Sequence, residues 1–346
     1  MMKTEEGPNN FNKSLKTALV TGGAGFIGSE LVQQLASRGY QVTVVDNFVN
    51  GKRENLAGVP KKSLKIIKGD IRDEKLIRNL MDGTDMVFHL ACLGVRHSIH
   101  SPVENHEVNA FGALNLLLAA KEAEVKRFVH ISTSEVYGTA MTVPMVEDHP
   151  TYPMTVYGAA KLAGEAYARA FYRTYGFPTV IVRPFNTYGP RCHHEGDSGE
   201  VIPKFMLRCL ADQPLVIFGD GTQTRDFLYV SDTARGIILA GESADTIGNT
   251  INLGSGSEIT INKLAKAISG VTKKPDARMQ HETQRPGDTL RLYADISRAR
   301  KILDFKPKVT LKEGLSNLMA WYTSQGSSAE DLLEQEVTHT WIKHEP

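Results

Sequence analysis

The sequence is poor in several features that mark particular classes of protein. Its three cysteines, Cys92, Cys192 and Cys209, are too few and too widely separated for a disulfide framework or a zinc knuckle. Lysine and arginine (40) nearly balance aspartate and glutamate (39), which argues against binding nucleic acid or a membrane surface through bulk charge. No apolar run approaches membrane-spanning length, and the first residues lack the hydrophobic core of a signal peptide. We therefore expect a cytoplasmic protein whose partners bind at local sites.

Short β-rich runs alternate with longer amphipathic stretches in the first half of the chain. The β-rich runs are residues 17–21, 41–46, 64–70, 85–91, 127–132 and 178–184. The amphipathic stretches between them are residues 29–38, 73–81, 103–121 and 157–175. This alternation predicts an α/β protein with a Rossmann-type, doubly wound parallel sheet whose apolar strands are buried on both faces.

The alternation stops after about residue 190, and 346 residues are many for one compact core. We expect an N-terminal tail (1–15), a Rossmann domain (16–190) to which some later segments return, a smaller C-terminal lobe (191–323) and a C-terminal tail (324–346). Within the lobe, "FGDGTQTRDF" predicts a β-hairpin. The tail is expected to be irregular or to carry a peripheral helix.

The first predicted strand runs into "TGGAGFIG", which places Gly22, Gly25 and Gly28 directly before a helix. Glycines at this spacing allow a tight turn and a close approach of the backbone to a pyrophosphate, whose charge the helix N-terminus stabilises. A tight packing turn between strand and helix is the alternative. The agreement of strand, spacing and helix favours a dinucleotide site.

Two acidic residues at strand ends bear on the choice of dinucleotide. Asp46 ends the second strand about twenty residues after the glycines, where a carboxylate binds the adenosine ribose hydroxyls of NAD and repels the 2′-phosphate of NADP. Lys52 and Arg53 lie close to this position and could bind such a 2′-phosphate, which leaves NADP as the alternative. Asp70, after the third strand, is either a partner for the adenine amino group or an N-cap of the next helix. We expect NAD.

The stretch "YGAAK" places Tyr157 and Lys161 one turn apart on the same helix face. A lysine ammonium near a phenol lowers the phenol pKa, so that the phenolate can take a proton from a substrate hydroxyl. A surface contact between the two side chains is the alternative. Together with the glycine turn and Asp46, the pair favours an oxidoreductase-type active site.

The stretch "HISTSEVYG" ends a predicted core strand on Thr133, Ser134 and Glu135. Two hydroxyls and a carboxylate at a strand tip form either a capped turn or part of an active site. The carboxyl ends of parallel strands are where doubly wound sheets bind their ligands. We therefore expect these three side chains to face the same site as Tyr157 and Lys161.

Eight motifs in order resemble the extended short-chain dehydrogenase/reductase family of sugar-nucleotide epimerases, 4,6-dehydratases and decarboxylases. They lie between about residues 16 and 323: "TGGAGFIG", Asp46, "VFHLA", "STSEVYG", "YGAAK", "RPFNTYGPR", "GTQTRDFLYV" and "RPGD". The resemblance implies that the Rossmann domain holds NAD and that the lobe holds a nucleoside-diphosphate sugar. It also implies a homodimer formed through the helices at about 103–121 and 157–175.

The resemblance assigns roles to single residues. Thr133 would bind the sugar's C4 oxygen beside Tyr157, and Lys161 would also hold the nicotinamide ribose. The expected catalytic set is Thr133, Ser134, Glu135, Tyr157 and Lys161, and the expected substrate-binding set is Asn186, Arg225 and Arg285. The expected cofactor-binding set is Gly22, Gly25, Phe26, Ile27, Gly28, Asp46, Asn47, Asp70, Ile71, Leu90, Ala91, Tyr157 and Lys161.

Other polar residues near these motifs receive supporting roles. We interpret His89 and Asn109 as structural residues or as part of the cofactor's surroundings. The stretch "CHHEGD" (192–197) has two adjacent histidines but no ligand scaffold, so we expect no metal and interpret it as a mobile loop over the substrate.

Glu135 separates the reactions known in such a family. A base at this position can remove the C5 proton that a 4-keto group acidifies, which favours a 4,6-dehydratase. Ser134 stands where the best-known dehydratases carry an aspartic acid that protonates the leaving hydroxyl, and a serine is a poor proton donor. A 4-epimerase is therefore the second reading. A UDP-glucuronate decarboxylase, which shares the Thr-Ser-Glu order but favours "YDEGK", is the third. A non-enzymatic NAD-binding sensor would not need Tyr157 and Lys161.

Overall fold

The computed structural model describes residues 16–196, 198–284, 289–339 and 341. The strands of the first half are β1 (Thr17–Thr21), β2 (Gln41–Asp46), β3 (Leu64–Lys68), β4 (Met86–His89), β5 (Arg127–Ile131), β6 (Thr179–Pro184) and β7 (Asn186–Tyr188). The later strands are β8 (Leu215–Phe218), β9 (Thr224–Arg225), β10 (Phe227–Tyr229), β11 (Thr250–Leu253), β12 (Ile259–Thr260), β13 (Met279–Glu282) and β14 (Arg291–Leu292).

The helices follow the strands in alternation over the first half. They are α1 (Phe26–Ser37), α2 (Glu74–Met81), α3 (Val95–His100), α4 (Pro102–His106), α5 (Gly112–Glu122), α6 (Val156–Tyr175), α7 (Val201–Leu210), α8 (Val230–Glu242), α9 (Ile261–Val271), α10 (Ser297–Leu303), α11 (Leu311–Thr323) and α12 (Ala329–Leu333). A π-helical turn, Glu107–Phe111, joins α4 to α5. None of the helices within the described ranges combines the length and the apolar composition needed to cross a membrane.

Seven of the described strands form one parallel sheet in the order β11-β6-β5-β4-β1-β2-β3. Each of the six predicted β-rich runs contains one of the strands β1 to β6, and β11 extends the sheet beyond β6. The strand order reverses between β1 and its neighbour β4, and the carboxyl ends of the strands open a crevice at such a reversal. The predicted doubly wound Rossmann fold is confirmed.

Helices cover both faces of this sheet, and its central strands β1, β4, β5 and β6 are buried at nearly every residue. On one face, Leu31 of α1 and Ile237 of α8 belong to a buried cluster that includes Val20 and Phe88 of the strands. The cluster on the other face contains residues of α2, α5 and α6. A third cluster is formed mainly by α7, β8, α9 and α11, which belong to the part of the chain predicted to form the smaller lobe.

The predicted hairpin at "FGDGTQTRDF" is wrong. The three described strands that this stretch touches do not pair with one another: β8 pairs in parallel with β13, β9 pairs with β12 and β14, and β10 pairs with β7. Gly219 and Gly221 both adopt a left-handed backbone, with φ of 75° and 74°. The turn therefore directs the chain away from β8, towards strand partners that lie far along the sequence.

Helix α6 is fixed to the sheet by a buried ion pair. Nε and Nη2 of Arg183, on β6, donate to the two carboxylate oxygens of Glu165 at 2.8 and 2.6 Å. Both side chains are almost fully buried, with 1% and 0% of their surface exposed. Burial opposes ionisation, but the hydrogen bonds from Arg183 lower the pKa of Glu165. The Arg183 guanidinium also donates to the carbonyl of Glu147 and lies over the ring of Tyr137.

We expect Glu165→Gln to lower the free energy of unfolding by about 3–5 kcal/mol, because the change leaves Arg183 buried without a countercharge. Urea denaturation measures the change. Glu122→Gln is the control, since its ion pair with Arg78 is half exposed on both sides and should contribute less than about 1 kcal/mol. Equal, small losses in the two variants would contradict the anchoring role of the buried pair.

Candidate active site

A cavity of about 670 Å³ opens at the carboxyl edge of the sheet, between the sheet and the smaller lobe. The structure brings fifteen of the predicted site residues to its wall: Gly22, Gly25, Phe26, Ile27, Gly28, Asp46, Leu90, Ala91, Thr133, Ser134, Glu135, Tyr157, Lys161, Asn186 and Arg225. Asn47, Asp70 and Ile71 are not among the described residues that line it. Arg285 and Asp197 lie outside the described residues.

The glycine turn leaves a groove between β1 and the first turn of α1. Gly22 has φ of 68°, and a Cβ atom there would lie 2.7 Å from the Ala91 nitrogen. A Cβ atom on Gly28 would overlap the carbonyl oxygen of Gly22. The N-cap of α1 is Gly25, which has no side chain that could accept a hydrogen bond from the first turn. The described first turn of α1 also has no acidic residue. The turn therefore offers backbone N–H groups and a helix dipole to an anion.

Asp46 lies at the end of β2, directly beside this turn. Its Oδ2 accepts a hydrogen bond from the backbone nitrogen of Ala24 at 2.9 Å, and its Oδ1 accepts one from Phe48 at 2.8 Å. Only 7% of the residue is exposed. The carboxylate is therefore held in one position at the cavity wall.

The two cations that could favour a 2′-phosphate have protein partners. Lys52 forms an ion pair with Glu195 at 2.8 Å, and the guanidinium of Arg53 lies 4.7 Å from the ring centroid of Phe48. The Lys52–Glu195 pair also connects the loop after β2 to the segment that follows β7. The partners described for these two cations are therefore Glu195 and Phe48 rather than Asp46.

Asp70 does not cap the helix that follows it. The N-cap of α2 is Asp73, whose side chain accepts a hydrogen bond from the backbone nitrogen of Leu76. Asp70 instead binds the guanidinium of Arg72 through both carboxylate oxygens, at 2.9 and 2.8 Å, and this pairing lowers its pKa. The N-cap alternative is wrong, and the adenine contact stays a prediction.

Two asparagine side chains hold the loop after β4 in place. Asn109, in the π-helical turn, accepts from the nitrogen of Leu93 and donates to its carbonyl oxygen, both at 2.9 Å. Asn105 donates to the same carbonyl at 3.0 Å. The buried His89 is paired with Thr21 at 2.8 Å through Nδ1. These contacts fit the structural roles predicted for Asn109 and His89.

The strand tip at Thr133 is a capped turn that also faces the cavity, so the two readings of this stretch are compatible. Thr133 is the N-cap of a short 3₁₀ helix, Ser134–Val136, and its Oγ1 accepts from the nitrogen of Glu135 at 3.2 Å. The same hydroxyl lies close enough to the phenol of Tyr157 to act against the rise in the phenol pKa. Ser134 is buried, with 4% of its surface exposed. Thr133, Glu135 and Tyr157 therefore lie together at the cavity wall.

The pKa of Tyr157 is higher than the sequence predicts. Burial and the negative charges of Glu135 and Glu200 hold it well above the ordinary value of a phenol. Lys161 is buried, and its Nζ donates to the carbonyl of Ile131 at 2.6 Å. Desolvation also lowers the pKa of Lys161. In the free chain, burial therefore outweighs any lowering of the phenol pKa by Lys161.

Sequence reasoning missed a second carboxylate in the cavity. Glu200 precedes α7 and lines the cavity, and desolvation raises its pKa to about 7 against the attraction of His193 and Arg96. No motif contains this residue. A glutamate placed directly before the helix at "VIPKF" was the only signal, and it resembles an ordinary N-terminal residue of a helix.

Two of the predicted substrate-binding residues, Asn186 and Arg225, line the cavity. The Nδ2 of Asn186 donates to the carbonyl of Asp226 at 3.4 Å. The Nη1 of Arg225 donates to the carbonyls of Thr224 and Thr289 at 2.8 and 2.7 Å. Among the described residues, no cluster of three or more His, Cys, Asp or Glu side chains could hold a metal ion.

Known proteins with the same features identify the family. A family model described as GDP-mannose 4,6 dehydratase matches residues 19–318. A putative UDP-glucose 4-epimerase of Methanocaldococcus jannaschii is 35% identical over 88% of this chain and 97% of that protein. UDP-glucuronic acid decarboxylase 1 of Arabidopsis thaliana is 34% identical over 92% of this chain and 72% of that protein.

A solved structure gives the same result. A dTDP-glucose 4,6-dehydratase from Streptomyces venezuelae, solved with NAD bound, has a TM-score of 0.83 and 34% identity, over 89% of this chain and 97% of that one. This chain belongs to the nucleotide-sugar epimerase, dehydratase and decarboxylase family of extended short-chain dehydrogenases/reductases. The predicted resemblance is confirmed. Because relatives with all three activities have similar identity, family membership alone does not choose among the reactions.

The electrostatics of the site predict how Glu200 acts on Tyr157. In Glu200→Gln a negative charge is lost near the phenol, so the pKa of Tyr157 should fall. Phenolate absorbance, taken as the difference between a protein with Tyr157 and the matched Tyr157→Phe protein, measures this pKa. The same titration on Glu122→Gln, far from the cavity, should show no change. An unchanged or higher pKa in Glu200→Gln would contradict the coupling.

Proposed function

We propose that this family member is a nucleoside-diphosphate-sugar 4,6-dehydratase. The observation that carries the proposal is the position of Glu135, which lines the cavity close enough to Tyr157 to raise the phenol pKa. A carboxylate beside the base that takes the proton of the C4 hydroxyl can reach the neighbouring C5 proton. A 4-epimerase only inverts C4 and has no use for this base.

NAD is the cofactor that we propose, supplying the oxidation at C4 and the return of the same hydride. The residues of the turn fit it. Gly22 and Gly28 leave a groove that any Cβ would fill, as a pyrophosphate requires. Asp46 would bind the adenosine ribose, and the pairing of Lys52 and Arg53 within the protein favours NAD over NADP.

Tyr157 would take the proton of the sugar's C4 hydroxyl, with Thr133 hydrogen-bonded to the same oxygen. Because burial raises the phenol pKa, the phenolate needs positive charge near it, and Lys161 supplies part of that charge from one turn further along α6. The roles of Thr133, Tyr157 and Lys161 serve any of the family's three reactions.

Elimination of water needs two further proton transfers. Glu135 would remove the C5 proton, which the C4 ketone acidifies. The electron pair of that C–H bond forms the C5–C6 double bond as the C6–O bond breaks, and the departing hydroxyl needs a proton to leave as water. Ser134 cannot match a carboxylic acid in that step. Glu200, whose pKa of about 7 keeps it partly protonated at neutral pH, would supply the proton.

The substrate would lie across the two parts of the chain. We propose that the Rossmann domain (16–190) holds the cofactor and that the lobe (191–323) holds the nucleotide. Arg225 would bind the diphosphate, for which a planar guanidinium is well suited, and Asn186 would bind the sugar side. Arg285 remains a predicted second diphosphate ligand.

A homodimer is the proposed assembly. The predicted interface helices carry large apolar side chains on their outer surface, among them Phe111 and Leu118 near α5 and Val156 and Tyr175 on α6. Scattered apolar side chains are normal on a monomer, but a concentration on two adjacent helices is typical of an interface.

We expect Asp46→Asn to keep the shape of the site but to lose the charge that repels a 2′-phosphate. The ratio of NADP to NAD dissociation constants should therefore fall about ten-fold or more. Calorimetric titration with each dinucleotide measures the ratio. Asp212→Asn, on the exposed surface, is the matched control and should leave it unchanged. An unaltered ratio in Asp46→Asn would remove Asp46 from the cofactor site.

The dehydratase reading predicts different defects for the two carboxylates. With the nucleotide sugar that the wild type turns over, Glu135→Gln should lose both dehydration and exchange of the C5 proton with D₂O, by about two or more orders of magnitude. Glu200→Gln should lose dehydration but keep C5 exchange. Mass spectrometry of the recovered sugar measures both. An active Glu135→Gln variant, with no C5 exchange in the wild type, would refute the proposal and favour a 4-epimerase.

A further inference from the structure

The last described residues of the chain return to the cavity. The family match ends at residue 318, yet Glu336, Thr338 and Trp341 line the same cavity as Tyr157. They lie on its lobe side, with Phe218 of β8. These three residues therefore form part of the cavity wall.

Contacts with the loop before α7 and with α7 itself hold the returning chain in place. The nitrogen of Gly196 donates to the carbonyl of Gln335 at 2.7 Å. Arg208 of α7 donates through Nε to both carboxylate oxygens of Glu336, at 3.1 and 2.9 Å, and only 7% of the Glu336 side chain is exposed. Lys204 donates to the carbonyl of Val337 at 2.7 Å. This largely buried ion pair, in which one N–H is shared between two carboxylate oxygens, helps to fix the position of the residues that follow it.

The segment ends in an aromatic corner. The ring centroids of Trp341 and Phe218 lie 4.8 Å apart with an angle of 81° between their planes. His339 stands edge-on to Trp341 at 5.4 Å and pairs with Glu282 through Nε2 at 2.7 Å. Two nearly perpendicular rings give a flat ligand one face to stack on and one edge to pack against.

We propose that Trp341 and Thr338 belong to the substrate site and that, with Phe218, they hold the nucleobase of the nucleoside-diphosphate sugar. The inference rests on the proposed function, which places the diphosphate at Arg225. Arg225 follows Phe218 by seven positions, and both line the cavity. The base, joined to the diphosphate through its ribose, would then lie on the aromatic corner.

The hydroxyl of Thr338 adds a polar contact to this subsite. Its oxygen accepts a hydrogen bond from Nη2 of Arg208 at 3.2 Å. Its own hydrogen is then directed elsewhere and can be donated to an acceptor such as a ring carbonyl of uracil, thymine or guanine. Stacking binds any nucleobase, whereas the Thr338 hydroxyl favours bases with a carbonyl group.

Fluorescence can report the subsite directly, because the chain has only two tryptophans. In Trp321→Phe, Trp341 is the single emitter. Its emission should change in a saturable way when UDP, dTDP or GDP is added. Inorganic pyrophosphate, which lacks a base, should cause no change. An emission that ignores all three nucleotides while calorimetry shows that they bind would overturn the inference.

Affinity measurements separate this inference from the proposed function. Trp341→Ala should bind the preferred nucleoside diphosphate about ten-fold more weakly, with pyrophosphate affinity unchanged, and Trp341→Phe should restore most of the loss. Thermal melting checks that both variants are folded. Equal or tighter nucleotide binding by Trp341→Ala would overturn the inference alone. A wild type that binds no nucleoside diphosphate would overturn the proposed function and this inference together.

Discussion

The buried ion pair between Glu165 and Arg183 is the constraint on which the geometry of the site depends. Residues 157, 161, 165 and 169 form one stripe along α6, so a contact that fixes Glu165 also fixes the two predicted catalytic residues before it. Lys161 adds a second attachment through the Ile131 carbonyl, at the end of β5. Tyr157 is thereby held at the carboxyl edge of the sheet, with no loop between it and the rigid core.

The same burial that holds the helix determines the chemistry of the cavity. Desolvation and neighbouring negative charges, those of Glu135 and Glu200 among them, raise the pKa of Tyr157, so a positive charge beside the phenol would favour its phenolate. Glu135 and Glu200 differ in environment: one follows the capped strand tip, and the other precedes a helix of the lobe and has a pKa of about 7. A carboxyl group with a pKa of about 7, as in Glu200, is partly protonated at neutral pH and can act as a general acid.

The sequence predicted the parts of the structure that follow from local pattern. Apolar runs predicted the strands correctly because helices cover both faces of the sheet. The glycine spacing predicted the turn correctly because a Cβ atom cannot fit there. The hairpin was wrong because β8 and β9 find partners far along the chain. Glu200 and Trp341 could not be predicted, since their place in the cavity depends on how α7 and the last residues pack. The raised pKa of Tyr157 likewise depends on burial that spacing does not show.

Product analysis of the wild-type protein in D₂O tests the central claim most directly. The protein is incubated with a panel of UDP-, dTDP-, GDP- and CDP-sugars, and each product is examined by mass spectrometry and NMR. A 4,6-dehydratase should give a product that has lost one water and carries one deuterium at C5, because the C5 proton is removed and replaced from solvent. A product of unchanged mass, inverted at C4 and free of deuterium, would contradict it.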